Sequence, residues 1–251
     1  MQTDPEKHLR SAYTFTLPFI LLVSLTVATQ LASVAYLSEK SISSVLLPSL
    51  VALLAIAVPF TALGLRLGRK IGLGVPLLAG LLSRDPAAIK QLRDDTVLAF
   101  FSGLAVGAFL WVLRIVLLTY LPEDLPALGH RGVVGGLLVS TSAAIGEEVW
   151  MRLGVMTIVA WMLCKLAKQE KISASIAWTA ISISAFAFGL LHLPQLAAND
   201  AANAIGITAT MFGNMLGALL FGWLYWKRSL FAAIVAHFSV DLVLHVFPAM
   251  V

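Results

Sequence analysis

An all-α, polytopic transmembrane bundle of about seven spans is the fold the sequence predicts, and three observations predict it. Apolar residues make up 59% of the 251-residue chain and charged residues only 12%, about half the roughly 25% usual in a soluble domain. The mean hydropathy is +0.92. Seven segments are long and apolar enough for a hydrocarbon core that takes about 20 helical residues to cross, and the basic residues between them fall in alternate loops. The bundle uses nearly the whole length, so 1–251 is expected to be a single transmembrane domain.

The segments lie at about 14–37, 45–66, 97–121, 133–163, 173–193, 204–226 and 229–248. The first follows a short polar stretch, Met1 to Arg10, and is about twice the length of a signal-peptide core, which favours a retained span. Ser38-Glu39-Lys40-Ser41 ends it. A connector from Arg66 to Asp95 follows the second; its apolar part, Ile71 to Leu82, is short and rich in glycine, which suits the interface better than a crossing. Pro122-Glu123-Asp124-Leu125-Pro126 ends the third span, Lys165 to Lys171 the fourth, and Pro194 to Asn203 the fifth. Trp226-Lys227-Arg228-Ser229 parts the last two. Gly103-x-x-x-Gly107 and Gly213-x-x-x-Gly217 are small-residue faces suited to close helix contact.

Thirteen basic residues occupy one set of loops: Lys7 and Arg10, then Arg66 to Arg93, Lys165 to Lys171, and Lys227 with Arg228. The other set holds Lys40 and Arg131, and Arg114 and Arg152 lie within spans. The positive-inside rule then puts the N-terminus in the cytoplasm and the C-terminus outside, in a multi-pass protein of the cell (inner) membrane. The net charge of +4 is spread through loops and is no nucleic-acid signal. Cys164, the single cysteine, excludes an internal disulfide and reads as a small apolar filler.

Strongly polar groups inside the later spans are few: Glu147, Glu148, Arg152, His192, Asn214, His237, Asp241 and His245. A charge at bilayer depth costs at least about 2.5–3.5 kcal/mol on insertion scales, so each needs a reason. Glu148 and Arg152 are four apart and can pair on one helix face. Glu147 points about 100° away and is free for other partners. His237, Asp241 and His245 recur every four residues as one polar stripe, while His192 stands alone before Pro194. Asn214 suits an interhelical hydrogen bond, and His245 an interfacial position. Carboxylates and imidazoles converging in a dry bundle can activate water, relay protons or bind a metal.

Glu147-Glu148-x-x-x-Arg152, Phe188-x-x-x-His192 and His237-x-x-x-Asp241, in that order on separate helices, resemble the CPBP family. It includes the type II CAAX prenyl endopeptidases and Abi-type proteins linked to bacteriocin processing and self-immunity. The resemblance covers about 130–245, within a catalytic half of about 130–248. It implies a glutamate-dependent intramembrane protease acting on a membrane-tethered peptide or a protein C-terminal tail, with Glu147, His192 and His237 in catalytic roles.

The chemistry agrees. Peptide hydrolysis needs a base for water, a donor for the oxyanion and a proton for the leaving amine. Glu147 suits the base, His192 the water and the leaving nitrogen, His237 the oxyanion, and Arg152 keeps Glu148 distinct from Glu147. The last family motif often ends in Asn. Asp241 therefore either is protonated or orients His237. A carboxylate behind a histidine also suits zinc, with Glu147, His192, His237 and Asp241 as the ligand set, but the His-Glu-x-x-His pair of zinc proteases is missing. Metal-free catalysis is the expectation. The competing readings are a proton- or cation-coupled transporter and a non-catalytic immunity or interaction protein.

Depth adds a constraint. Glu147 is about 27 Å from Lys165 and His192 about 31 Å from Lys171, whereas His237 is about 14 Å from Arg228. The cluster then lies between mid-membrane and the outer leaflet, which favours an exported membrane-tethered substrate.

Overall fold

The computed structural model describes residues 12–250. The stretch holding Lys7 and Arg10 lies outside the described residues. Seven helices are long and apolar enough to cross a membrane: α1 (Tyr13–Leu37), α2 (Ile42–Ile71), α4 (Pro86–Val116), α5 (Gly132–Leu166), α6 (Ala174–Ala198), α7 (Ala204–Lys227) and α8 (Leu230–Ala249). A short helix, α3 (Pro76–Leu82), lies between α2 and α4. No strand occurs among the described residues.

Local signals set the helix ends. Asp85 caps α4 by accepting from the Ala87 N–H, with Pro86 in the first turn. Asn203 caps α7 through the Gly206 N–H, and Ser229 caps α8 through the Ala232 N–H. Gly72 ends α2 at φ 84°, a left-handed conformation that costs glycine little. The third span begins eleven residues before the expected position near 97. Hydropathy marks the apolar portion alone, whereas the cap at Asp85-Pro86 starts the helix and carries Lys90 and Arg93 on its first turns. The connector shrinks accordingly. Its apolar part does not cross: it holds the short α3, and Leu73, Val75 and Leu77 are buried in the end of the bundle.

The share of buried residues in the spans is 11–22% in α1, α2, α4 and α7 but 44–56% in α5, α6 and α8. The last three therefore form the centre, and Glu147, Glu148, Arg152, His192, His237 and Asp241 all lie on them. Gly103 and Gly107 of α4 lie against α8, where an added Cβ at either would collide with Ala236 or Val243. Gly213 has no such neighbour: an added Cβ would meet only a Leu110 methyl, 3.9 Å away. Of the two small-residue faces, the first is a helix contact and the second is not, since an added Cβ at Gly217 would meet only Phe221 of its own helix.

Polar stitches close the end of the bundle that carries the basic loops. The Tyr225 hydroxyl lies 2.8 Å from the Thr157 hydroxyl and accepts from the Gly74 N–H at 3.1 Å. Ser229 donates to the buried carboxylate of Asp95 at 2.6 Å. The Ile172 N–H donates to the Ile71 carbonyl at 3.1 Å.

Candidate active site

Two departures from α-helical winding flank the site. Val149–Met156 winds as a π-helix immediately after Glu148, and Leu242–Val246 does so immediately after Asp241. Such segments are rare and recur at functional positions, because the extra residue per turn re-aims the side chains around it.

Glu148 is the buried hub. One carboxylate oxygen lies 3.2 Å from the Arg152 Nε, and the other accepts from the His237 Nδ1 at 2.9 Å. Both Glu148 and Arg152 are almost wholly buried. Among the described residues, the two terminal guanidinium nitrogens of Arg152 have no hydrogen-bond partner. Their compensation is aromatic: the guanidinium carbon lies 5.2 Å from the Phe188 ring centre and 5.5 Å from that of Phe221. Cation–π attraction of this kind contributes about 2 kcal/mol or more when desolvated. Phe221 also stacks on His237, with ring centres 4.6 Å apart.

Glu147 has the opposite environment. Its side chain keeps 26% of its surface and lines a cavity of about 960 Å³. The His237 Nε2 faces it at 3.8 Å and faces Asp241 at 3.7 Å. His192 lines the same cavity and donates through Nδ1 to the Phe188 carbonyl at 2.8 Å, which leaves Nε2 free. It pairs with no carboxylate among the described residues. Asp241 is buried, and His245 approaches it at 4.0 Å while remaining partly exposed at the cavity wall.

The helices thus bring Glu147, His192, His237 and Asp241 to one cavity and set Glu148 and Arg152 behind it. Among the described residues, no three His, Cys, Asp or Glu side chains group as a metal shell. Asn214 departs from expectation. It lines the cavity but donates to the Thr210 carbonyl on its own helix at 2.9 Å, and makes no interhelical bond among the described residues.

The cavity occupies the half of the bundle away from the basic loops. Its mouth is bordered by the end of α4, by 117–131 and by Gln195, Asn199 and Ala204. Arg114, His130 and Arg131 stand there. Burial lowers the Arg131 guanidinium below the usual arginine range, and the nearby Asp241 opposes the shift. The sequence had marked Arg114 only as a span charge and Arg131 only as a loop charge, and had not marked His130. Nor did it signal the π-helical turns or Phe221, which reaches Arg152 from another helix.

Residues 130–243 match the family model for Rce1-like type II CAAX prenyl endopeptidases. That segment contains all six motif residues, and the match is consistent with the CPBP family. It implies a CAAX-type protease in a multi-pass membrane protein. No curated protein and no solved structure matches the chain.

Proposed function

We propose that this protein is a metal-independent intramembrane endopeptidase that cleaves the C-terminal tail of a membrane-tethered peptide or protein, reached from the face opposite the basic loops. The observation that carries it is the division between adjacent carboxylates. Glu148 is consumed by Arg152 and His237, while Glu147 faces the cavity beside two imidazoles.

Glu147 takes a proton from water held between it and the free Nε2 of His192. The hydroxide oxygen bonds to the scissile carbonyl carbon, and the oxyanion accepts from the Nε2–H of His237. That donation needs both ring nitrogens of His237 protonated, since Nδ1–H already binds Glu148. Glu148 at 2.9 Å on one side and Asp241 at 3.7 Å on the other flank the ring. Asp241 therefore supports the donor and does not meet the oxyanion. Collapse of the tetrahedral centre breaks the C–N bond, and the proton taken from water returns through His192 to the leaving nitrogen. Oxyanion donors of this kind contribute about 2.7–4 kcal/mol.

The test is turnover of a membrane-tethered peptide by the purified protein under exhaustive chelation, with metal content measured alongside. Turnover is expected to persist without stoichiometric zinc, and Asp241→Asn is expected to retain part of it. One zinc per chain, lost together with activity in Asp241→Asn and restored by added zinc, would overturn the proposal.

A further inference from the structure

The basic-loop end of the bundle is paired inside but open at its edge. There the ends of α2 and α5 border a second cavity, of about 530 Å³. Three exposed lysines line it, Lys70, Lys165 and Lys168, together with the buried Ile71 and Cys164 and the ring of Trp161. Glu170 lines it too, yet none of the lysines forms an ion pair among the described residues. The indole N–H of Trp161 is buried and has no hydrogen-bond partner among the described residues. Buried donors of this kind are rarely left without an acceptor. A helix C-terminus ordinarily disfavours an anion, but the carbonyls here already accept main-chain bonds. Cys164 accepts from the Gln169 N–H at 2.8 Å, Lys165 from the Lys168 N–H at 3.2 Å, and Ile71 from the Ile172 N–H at 3.1 Å. The turn that closes α5 puts Lys168 at φ 53°, a left-handed position that glycine fills at least cost. Lysine is held there against its conformational preference, and it supplies a charge that glycine lacks.

We propose that this cavity binds the phosphate of an anionic membrane lipid. The site is separate from the central cavity and does not depend on the peptidase reading. Lysine ammonium groups meet phosphate oxygens as point charges, and the Trp161 N–H adds a donor of fixed direction. The depth fits a headgroup. Lys70 and Lys165 belong to the last turns of their spans, and Lys168 follows just beyond. Tryptophan and lysine at a span end lie at headgroup level. Beside the cavity, Met162 and Leu166 are exposed and, four apart, share one face of α5. That apolar face accommodates an acyl chain, which a soluble phosphate does not carry. The leaflet that the basic loops face is also the one rich in anionic lipid, and basic pockets between spans suit its headgroups. A bound headgroup bridges α2 to α5, the helix that carries Glu147.

The experiment is native mass spectrometry of the purified full chain in detergent, with melting temperatures measured alongside. The protein is titrated with phosphatidylglycerol and with phosphatidylcholine of the same acyl chains. Phosphatidylglycerol is expected to bind at least about tenfold tighter. That preference should vanish in Lys165→Gln/Lys168→Gly. Lys168→Gly alone should lose part of it while melting no lower than the parent, because glycine suits the left-handed position. Lys90→Gln/Arg93→Gln, which removes charges at the same end from the first turns of α4, should keep the preference. Equal binding of the two lipids, or a preference that survives in Lys165→Gln/Lys168→Gly, would overturn the proposal. So would an equal loss in Lys90→Gln/Arg93→Gln, since a diffuse basic surface would then account for the binding. Displacement of the lipid by inorganic phosphate at the same concentration would assign the cavity to a soluble phosphate and overturn the lipid assignment.

Discussion

The two ends of the bundle solve the same problem in opposite ways. At the basic-loop end the polar side chains are spent on one another: Tyr225 on Thr157 and Gly74, Asp95 on Ser229. At the other end Glu147, the Nε2 of His192 and two arginines are left facing a cavity. Polar groups that satisfy one another in a low-dielectric interior stabilise and specify the packing. Those held near one another yet left partly free are disposed for chemistry. The same contrast recurs between neighbours in sequence, since Glu148 is locked and Glu147 is open.

The largest expected contrast is topological. The thirteen-to-two excess of basic residues should hold the stitched end in the cytoplasm. In a Cys164→Ala background, cysteines at Ser41 and Asn199 should label fully with an impermeant reagent in intact cells, and one at Gln169 should not. The inverse pattern would turn the cavity towards the cytoplasm. Next in size is Glu148→Gln, which takes the paired anion from the buried Arg152 and leaves a neutral amide in its place. Breaking such a pair costs about 3–5 kcal/mol, readable as a fall in melting temperature in detergent. A variant as stable as the parent would show that the hub is not structural.

At the stitched end, Asp95→Ala removes the acceptor of Ser229. It should cost about 1–3 kcal/mol of stability while leaving the turnover of the folded protein unchanged; loss of turnover without loss of stability would blur the division between the ends. The smallest effect belongs to Asn214→Ala. Polar contacts in membrane bundles contribute about 0.6 kcal/mol on average, and this one is made within its own helix, so a large drop in melting temperature would mean that Asn214 bonds a neighbour after all.

Much of this was legible in the sequence. Seven spans follow from hydropathy because backbone in lipid must satisfy itself within a helix. The Glu148–Arg152 pair follows from a four-residue spacing, and the motif residues follow from their polarity at depth. Other features carry no local signature. Asp95 stood in an assumed connector, and only the packing of α8 on α4 shows that it is buried. Phe221 meets Arg152 and His237 through tertiary contact alone. The π-helical turns after Glu148 and Asp241 are choices of winding that residue spacing does not encode. Arg114 and Arg131 gain meaning only once the cavity mouth is known.

The most direct test is a comparison of Glu147→Gln with the parent protein, with peptide turnover and thermal melting measured on the same purified samples. General-base catalysis contributes about 10²–10⁴-fold. Turnover should therefore fall by at least about a hundredfold, with the melting temperature unchanged, because His237 is held by its hydrogen bond to Glu148 and only faces Glu147 at 3.8 Å. Near-normal turnover in a folded Glu147→Gln protein would contradict the assignment of Glu147 as the base.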